Sequence, residues 1–373
     1  MISEIFASFP HFFHSIKIMQ ELFSISIDKW RKLWYNRITK EPTSAPTLTG
    51  SYRGKGKVFH MNSISQNPAV VKWRDKKRAN LLIADKLQDA GFPLRGARVR
   101  LCGTQLNLKV CPDCGKSFVS SANLCRDRLC PTCEWRLSMR RFAEMCAVMQ
   151  YISDDDYVDA GFLTLTVRNC EPGELRATLQ QMARDWNRMM QLRGLKRMIC
   201  GWARSLEITY NAKTRTFHPH YHVIILTRAQ KSAGELQKAF RTAWSRACRL
   251  DYEPITDYRE IRAADKNGGT NIDNDKFAAA ICETYKYAVK SDDMREMPLS
   301  DFRALVTAIS GLRFAAFGGV VKDARRALCY KDDDDADADE VTRDICDCGA
   351  TLTTEILRWS MRRREYVRFS ELF

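Results

Sequence analysis

Apolar and polar positions change their period several times along the chain. Residues 71–90 repeat at helical spacing, with Lys72, Arg74, Lys76, Lys77 and Arg78 on the polar side. That charge run reads as a solvated face, or as one that meets backbone phosphates. From Phe162 to Val167 the pattern alternates, Leu163, Leu165 and Val167 on one face and Thr164 and Thr166 on the other, as on a strand. Residues 173–193 return to the helical period through Leu175, Leu179, Met182, Trp186 and Met189. Leu206 to Tyr210 alternates again, with Ser205, Glu207 and Thr209 on the polar face. Val223 to Leu226 is an apolar, largely β-branched run, which predicts a buried strand. Residues 232–247 predict a helix with Leu236, Phe240 and Trp244 inside, and the Gly-, Asn- and Asp-rich stretch 261–275 predicts a loop.

Residues 275–290 predict one more helix. At about 100° per residue, Phe277, Ile281, Cys282, Tyr285 and Val289 share an apolar face, while Glu283, Lys286, Tyr287 and Lys290 share the polar one. Glu283 and Tyr287 are then neighbours one turn apart, a pair that suits an exposed surface as well as a site. Residues 312–328 follow, broken at Gly318-Gly319, and the chain ends in an Arg-rich amphipathic segment over 354–373. Alternating strand and helix periods of this kind predict an α+β protein.

The 373 residues allow two or three domains. The divisions read as an N-terminal arm and linker (1–70), a helix with a cysteine-rich module (71–145), the α+β domain (155–330), and an acidic linker with a basic C-terminal segment (331–373). The first forty residues are rich in Phe, Ile and Trp but lack a basic start, so they do not read as a secretory signal. They suit an amphipathic helix, packed on the core or lying on a membrane surface. No apolar run reaches the roughly 18 residues of a membrane span. A formal net charge of +15 favours a polyanionic partner such as nucleic acid.

Candidate chemistry sits in two places. Five of the 14 cysteines fall between Cys111 and Cys133, which suits metal binding in a reducing compartment better than a disulfide framework. Cys111-Pro112-Asp113-Cys114 and Cys130-Pro131-Thr132-Cys133 have the spacing of two thiolate turns that close one tetrahedral Zn²⁺ site. Cys125 or Cys102 are candidates to replace one of the four. Cys346-x-Cys348-Gly349 has the spacing of half a site but stands alone, so free thiols are the expectation there. The second place is His218-Pro219-His220-Tyr221-His222, which holds three of the six histidines. His220 and His222 point to the same face of a strand and offer two imidazoles to a divalent metal. Pro219 suits a strand start and makes His218 the weakest ligand candidate.

Three segments in order carry a family resemblance. Phe162 to Thr166 (FLTLT), His218 to His222 (HPHYH) and Glu283 to Tyr287 (ETYKY) resemble the three motifs of the rolling-circle replication initiators of small bacterial plasmids, members of the HUH endonucleases. Cys125-x-x-Arg128-Leu129-Cys130-Pro131-x-Cys133 is similar to the cysteine cluster that precedes those motifs. The resemblance covers about residues 72–328. It implies an HUH-type central antiparallel sheet with helices on one side, and a bacterial, cytoplasmic protein. It also implies metal-dependent nicking and joining of single-stranded or extruded origin DNA. Tyr287 would be the nucleophile, forming a 5′-phosphotyrosine, and Glu283 the general base for a terminating water. His220, His222 and Glu207 would bind Mn²⁺ or Mg²⁺, with Glu207 otherwise a strand-surface residue. Lys286 and Lys290 would steady phosphates. A host helicase and DNA polymerase are implied as partners, because nothing in the chain resembles an ATP-binding loop. The alternatives are an HUH transposase or relaxase, and a zinc-containing DNA-binding regulator without catalysis.

Overall fold

The computed structural model describes residues 64, 67–152, 159–228, 231–264, 270–272, 274–286, 288–330 and 343–371. The N-terminal arm, most of the 41–70 linker, the acidic tract from Asp332 to Glu340, and Tyr287 lie outside the described residues.

Helix α1 (Pro68–Asp89) starts where Asn67 accepts the Ala69 N–H at 2.9 Å and Pro68 supplies a preset φ. Helix α2 (Pro93–Leu101), strands β1 (Gln105–Val110) and β2 (Ser117–Ala122), and helix α3 (Pro131–Tyr151) follow. Lys77 does not lie on a solvated face. It is fully buried and donates to the Arg100 and Cys102 carbonyls at 2.5 and 2.7 Å, capping the end of α2, whose last carbonyls have no helical partner.

The larger sheet holds β3 (Asp159–Thr166), β4 (Ile199–Asn211), β5 (Thr216–Thr227), β6 (Thr256–Glu260) and β9 (Ala315–Gly319), in the order β6-β3-β5-β4-β9, with all neighbours antiparallel. Between these strands the chain forms α4 (Leu175–Met190), α5 (Arg193–Met198), α6 (Ala233–Cys248), the short pair β7 (Arg262–Ala264) and β8 (Thr270–Ile272), α7 (Asn274–Thr284), α8 (Ser291–Glu296) and α9 (Leu299–Ala308). A capping box between Ser232 and Glu235 fixes the start of α6. After β9 come α10 (Val320–Ala327), β10 (Thr353–Ser360) and β11 (Glu365–Arg368).

Both faces of the larger sheet are covered, which corrects the expectation of helices on one side. Leu163, Leu206, Tyr221, Val223 and Ile225 pack against Leu179 and Trp186 of α4, Phe240 and Trp244 of α6 and Phe302 of α9. Phe162, Ala203, Ile224 and Leu226 pack on the other face against Met145 and Val148 of α3, Phe277 and Ile281 of α7 and Val321 of α10. The reason is in β5, where the apolar run Val223 to Leu226 is buried on both sides.

Three further expectations change. The helix expected over 275–290 ends at Thr284. There the Ala288 carbonyl accepts the Ile208 N–H of β4 at 2.8 Å, so pairing with the sheet replaces the helical period. Part of the expected loop over 261–275 is the β7–β8 pair, with Arg262 opposite Ile272. The basic C-terminal segment is no appendage. β10 and β11 join a second sheet in the order β11-β10-β1-β2, and Leu357, Trp359 and Tyr366 pack there with Trp73, Leu106, Leu108 and Trp135.

Candidate metal centre

Glu207 and His220 are opposite each other in the β4–β5 ladder, and His222 is two residues further on the same face. Both imidazoles converge on one atom: His220 Nε2 and His222 Nε2 each lie 2.8 Å from Glu207 Oε2. The three side chains are almost fully buried. Glu207 Oε1 is also buried and has no hydrogen-bond partner.

The rings are held from behind. His220 Nδ1 lies 3.2 Å from the His218 carbonyl. A carbonyl only accepts, so Nδ1 donates to it, and Nε2 either shares a proton with Glu207 or presents a lone pair to a cation. Two lone pairs at hydrogen-bond distance repel unless a proton or a cation lies between them. His222 is stacked on Phe162 with ring centroids 5.4 Å apart, and its Nδ1 is 3.3 Å from Thr164 Oγ1. Thr164 is directly opposite His222 in the ladder. Two oriented imidazoles, a buried carboxylate and an unpartnered carboxylate oxygen fit a divalent cation.

Positive charge already gathers at the mouth of this group. Lys286 Nζ lies 2.8 Å from Glu207 Oε2 and 2.5 Å from Glu283 Oε1, and Glu283 Oε1 is 3.9 Å from His222 Nε2. Burial would push the Glu207 carboxyl up, but hydrogen bonds from His220 and His222 and the Lys286 charge hold it well below the usual carboxylate range. Burial lowers His222 and, with the charge of His220, lowers His218 as well.

Of the residues singled out from the sequence, Glu207, His220 and His222 come together, with Glu283 and Lys286 beside them. Lys286 is not on an outer helical face; it turns in to the buried carboxylate. His218 contributes its carbonyl and sits with its ring 5.5 Å from that of His220, outside the group of three. Lys290 precedes α8 as its cap residue and no longer shares a helix with Lys286. Phe162 and Thr164, which hold His222, stand in the sequence as part of the alternating strand and of the first motif, with no role of their own.

The four-cysteine set Cys111, Cys114, Cys130 and Cys133 is corrected. Its two halves belong to two different groups. Cys130 and Cys133 gather with Cys102 and Cys125, with Cys133 Sγ 3.5 Å from Cys102 Sγ and 3.7 Å from Cys125 Sγ. Cys111 and Cys114 gather instead with Cys346 and Cys348. The reason is the course of β1 and β2. They carry the first pair out along a hairpin, while Cys102 and Cys125 stay at its base, beside the start of α3. The Cys125 and Arg126 N–H groups donate to Cys102 Sγ and Cys133 Sγ at 3.4 and 3.2 Å. Each group offers four sulfurs and suits a closed tetrahedral metal site.

The replication-protein family matches residues 116–367 of the chain. A protein named rep from Lentilactobacillus hilgardii is 29% identical over 324 residues, covering 82% of this chain and 98% of its own. One of the same name from Bacillus amyloliquefaciens is 30% identical over 285 residues, covering 71% of this chain and 84% of its own. Another from Streptococcus pneumoniae is 27% identical over 301 residues, covering 79% and 91%. No solved structure gives a significant match. The family match spans more than half of the chain, and the chain belongs to the replication-protein family, the one its three motifs resemble.

Proposed function

We propose that the protein initiates plasmid rolling-circle replication by nicking and rejoining origin DNA through a covalent tyrosine intermediate, on an HUH-type sheet. The convergence of His220 and His222 on Glu207 Oε2 carries this reading. A divalent cation, Mn²⁺ or Mg²⁺, held by these three residues would neutralise a nonbridging oxygen of the scissile phosphate. Imidazole ligands suit Mn²⁺ better than Mg²⁺.

Tyr287 is the proposed nucleophile. Its oxygen forms a bond to phosphorus, and the bond to the 3′ oxygen breaks, leaving a 3′ hydroxyl that primes synthesis. The residues on either side support the choice. Lys286 is bonded to Glu207, and the Ala288 carbonyl is bonded to Ile208, the next residue on the same strand. Lys286 also places a cation where the phosphate would enter. Glu283, half exposed beside His222, is the proposed base for the water that resolves a second cut. The four thiols around Cys133 would hold a structural Zn²⁺. The scissile strand would enter single-stranded or extruded, in a chain with a large basic excess, and a host helicase and polymerase would extend the primer.

The test uses single-stranded origin DNA labelled on the 3′ side of the nick, with and without Mn²⁺. A denaturation-resistant adduct mapped to Tyr287 is expected, and Tyr287→Phe should lose it while binding DNA nearly as well. Metal-dependent cleavage without an adduct, or an adduct on Tyr285, would overturn the assignment. Binding with no cleavage across metals and candidate origins would favour a regulator instead.

A further inference from the structure

Cys346 and Cys348, a lone pair in the sequence, have partners in the structure. We propose that Cys111, Cys114, Cys346 and Cys348 bind a second structural Zn²⁺, separate from the Cys102 group, which clasps the C-terminal strands to the β1–β2 hairpin. Cys111 Sγ is 3.4 Å from Cys348 Sγ, and Cys114 Sγ is 3.5 Å from Cys346 Sγ. Disulfide sulfurs lie about 2.05 Å apart, so these are not disulfides. Zn–S bonds of about 2.3 Å set a tetrahedral edge of about 3.8 Å, close to what is seen.

Each half is a tight turn followed by a glycine at positive φ. Cys111 to Cys114 turns tightly, with the Cys114 N–H on Cys111 Sγ at 3.5 Å, the Gly115 N–H on the Cys111 carbonyl at 3.1 Å, and Gly115 at φ +71°. Cys346 to Cys348 turns over one residue fewer, with the Gly349 N–H on the Cys346 carbonyl at 3.0 Å and Gly349 at φ +92°. Both glycines sit where a Cβ would be strained. Each turn therefore presents two sulfurs toward the other.

Burial alone would not hold this junction. Its apolar cluster consists of Cys111, Cys346 and Leu352, with Phe118 and Ala350 against it. The ion pairs Lys109–Asp344 and Lys116–Asp347 are largely solvated on the acidic side and contribute little. Small apolar junctions of this size are commonly completed by a metal. The β1–β10 ladder and the Trp359 and Tyr366 packing would remain without it, so the metal fixes the turn at one end of the C-terminal strands. Cys114 and Cys348 are exposed, while Cys102 and Cys130 are buried. The clasp metal should therefore leave first.

The test counts metal in the full chain by native mass spectrometry, in a His220→Ala/His222→Ala background so that the triad contributes nothing. Two Zn²⁺ per chain are expected, falling to one in Cys346→Ser/Cys348→Ser. With Co²⁺ in place of Zn²⁺, the thiolate-to-metal absorption should halve. One Zn²⁺ in the background, or two in the cysteine variant, overturns the proposal. Should the variant not fold, a chelator titration of the cobalt-loaded wild type decides the matter. The first release should expose Cys111, Cys114, Cys346 and Cys348 to alkylation and leave the other group protected. A first release that exposes the Cys102 group, or alkylation of all eight thiols in a single step, overturns it.

Discussion

The Glu207 triad and the Cys102 group both gather donors suited to a metal, yet they are held by opposite means. The triad stands on the register of two long strands, β4 and β5, and each imidazole is fixed from behind by a carbonyl or by Thr164 and Phe162. The ladder sets its geometry, and one carboxylate oxygen is left unpaired. The cysteine group is spread over the end of α2, an irregular stretch after β2 and the start of α3. There the thiols hold the chain, rather than the chain the thiols. An open site on a rigid frame suits chemistry, and a closed four-sulfur site suits architecture.

The largest effect should come from the open site. Glu207→Gln keeps the shape but removes the charge that both histidines and Lys286 face. Nicking should fall on the order of 10³-fold, while the melting temperature moves only slightly. Rate assays on labelled origin DNA beside thermal melts check this, and a collapse of stability would show that the triad is architectural after all. Cys130→Ser should do the reverse. Losing a structural metal site should cost about 3 kcal/mol or more, which in a chain of 373 residues is a fall of roughly 4 °C or more. If Cys130→Ser melted normally and lost only activity, the contrast between the two groups would be wrong.

Glu134 tests whether the cysteine group is scaffold alone. It follows Cys133, is half-buried, with desolvation pushing its carboxyl up to about 7, and its Oε2 lies 3.5 Å from the Ala288 nitrogen. Ala288 is the residue after Tyr287, so the start of α3 touches the segment of the proposed nucleophile. Glu134→Gln should slow nicking about threefold to tenfold through misplacement, with DNA affinity and triad metal affinity unchanged. An unaltered rate would confine the cysteine group to a structural part.

The difference between the regions also explains what could be read from the sequence. Strand alternation and histidine spacing are local, so His220, His222 and the polar face bearing Glu207 were legible, as were the helices around Trp186 and Trp244. The cysteine grouping was not, because Cys111 and Cys114 meet Cys346 and Cys348 from the far end of the chain, and spacing carries no information about that. The C-terminal strands did leave a signal. Leu357 and Trp359 are buried while Ile356 and Arg358 are exposed, a period of two within what reads as a merely basic segment. The end of α7 left no such mark. Neither Gly nor Pro follows Thr284, and the helix stops because β4 captures the chain at Ala288. Lys77 was misread for a related reason, since a polar stripe does not show which lysine will meet the carbonyls of a second helix.

The smallest effect tests whether the triad depends on support remote from its donors. Asp301 of α9 grips the far end of the β4–β5 hairpin. It accepts from Arg215 at 2.6 and 3.0 Å and from the Tyr210 hydroxyl at 2.7 Å. The hydrogen bonds from Arg215 hold its carboxyl down at about 2, against 3.8 for an ordinary aspartate. A depressed folded value means that the unfolded chain takes up the proton first, so this contribution is complete above about pH 4 and fades as the pH falls toward 2. Asp301→Asn should therefore cost about 1–2 kcal/mol at neutral pH, with the gap to the wild type closing over that acid range. Denaturant melts at a series of pH values measure it. A gap that stays constant down to pH 2 would mean that the carboxylate charge is not what holds the hairpin, and that the strands alone keep Glu207 and His220 in register.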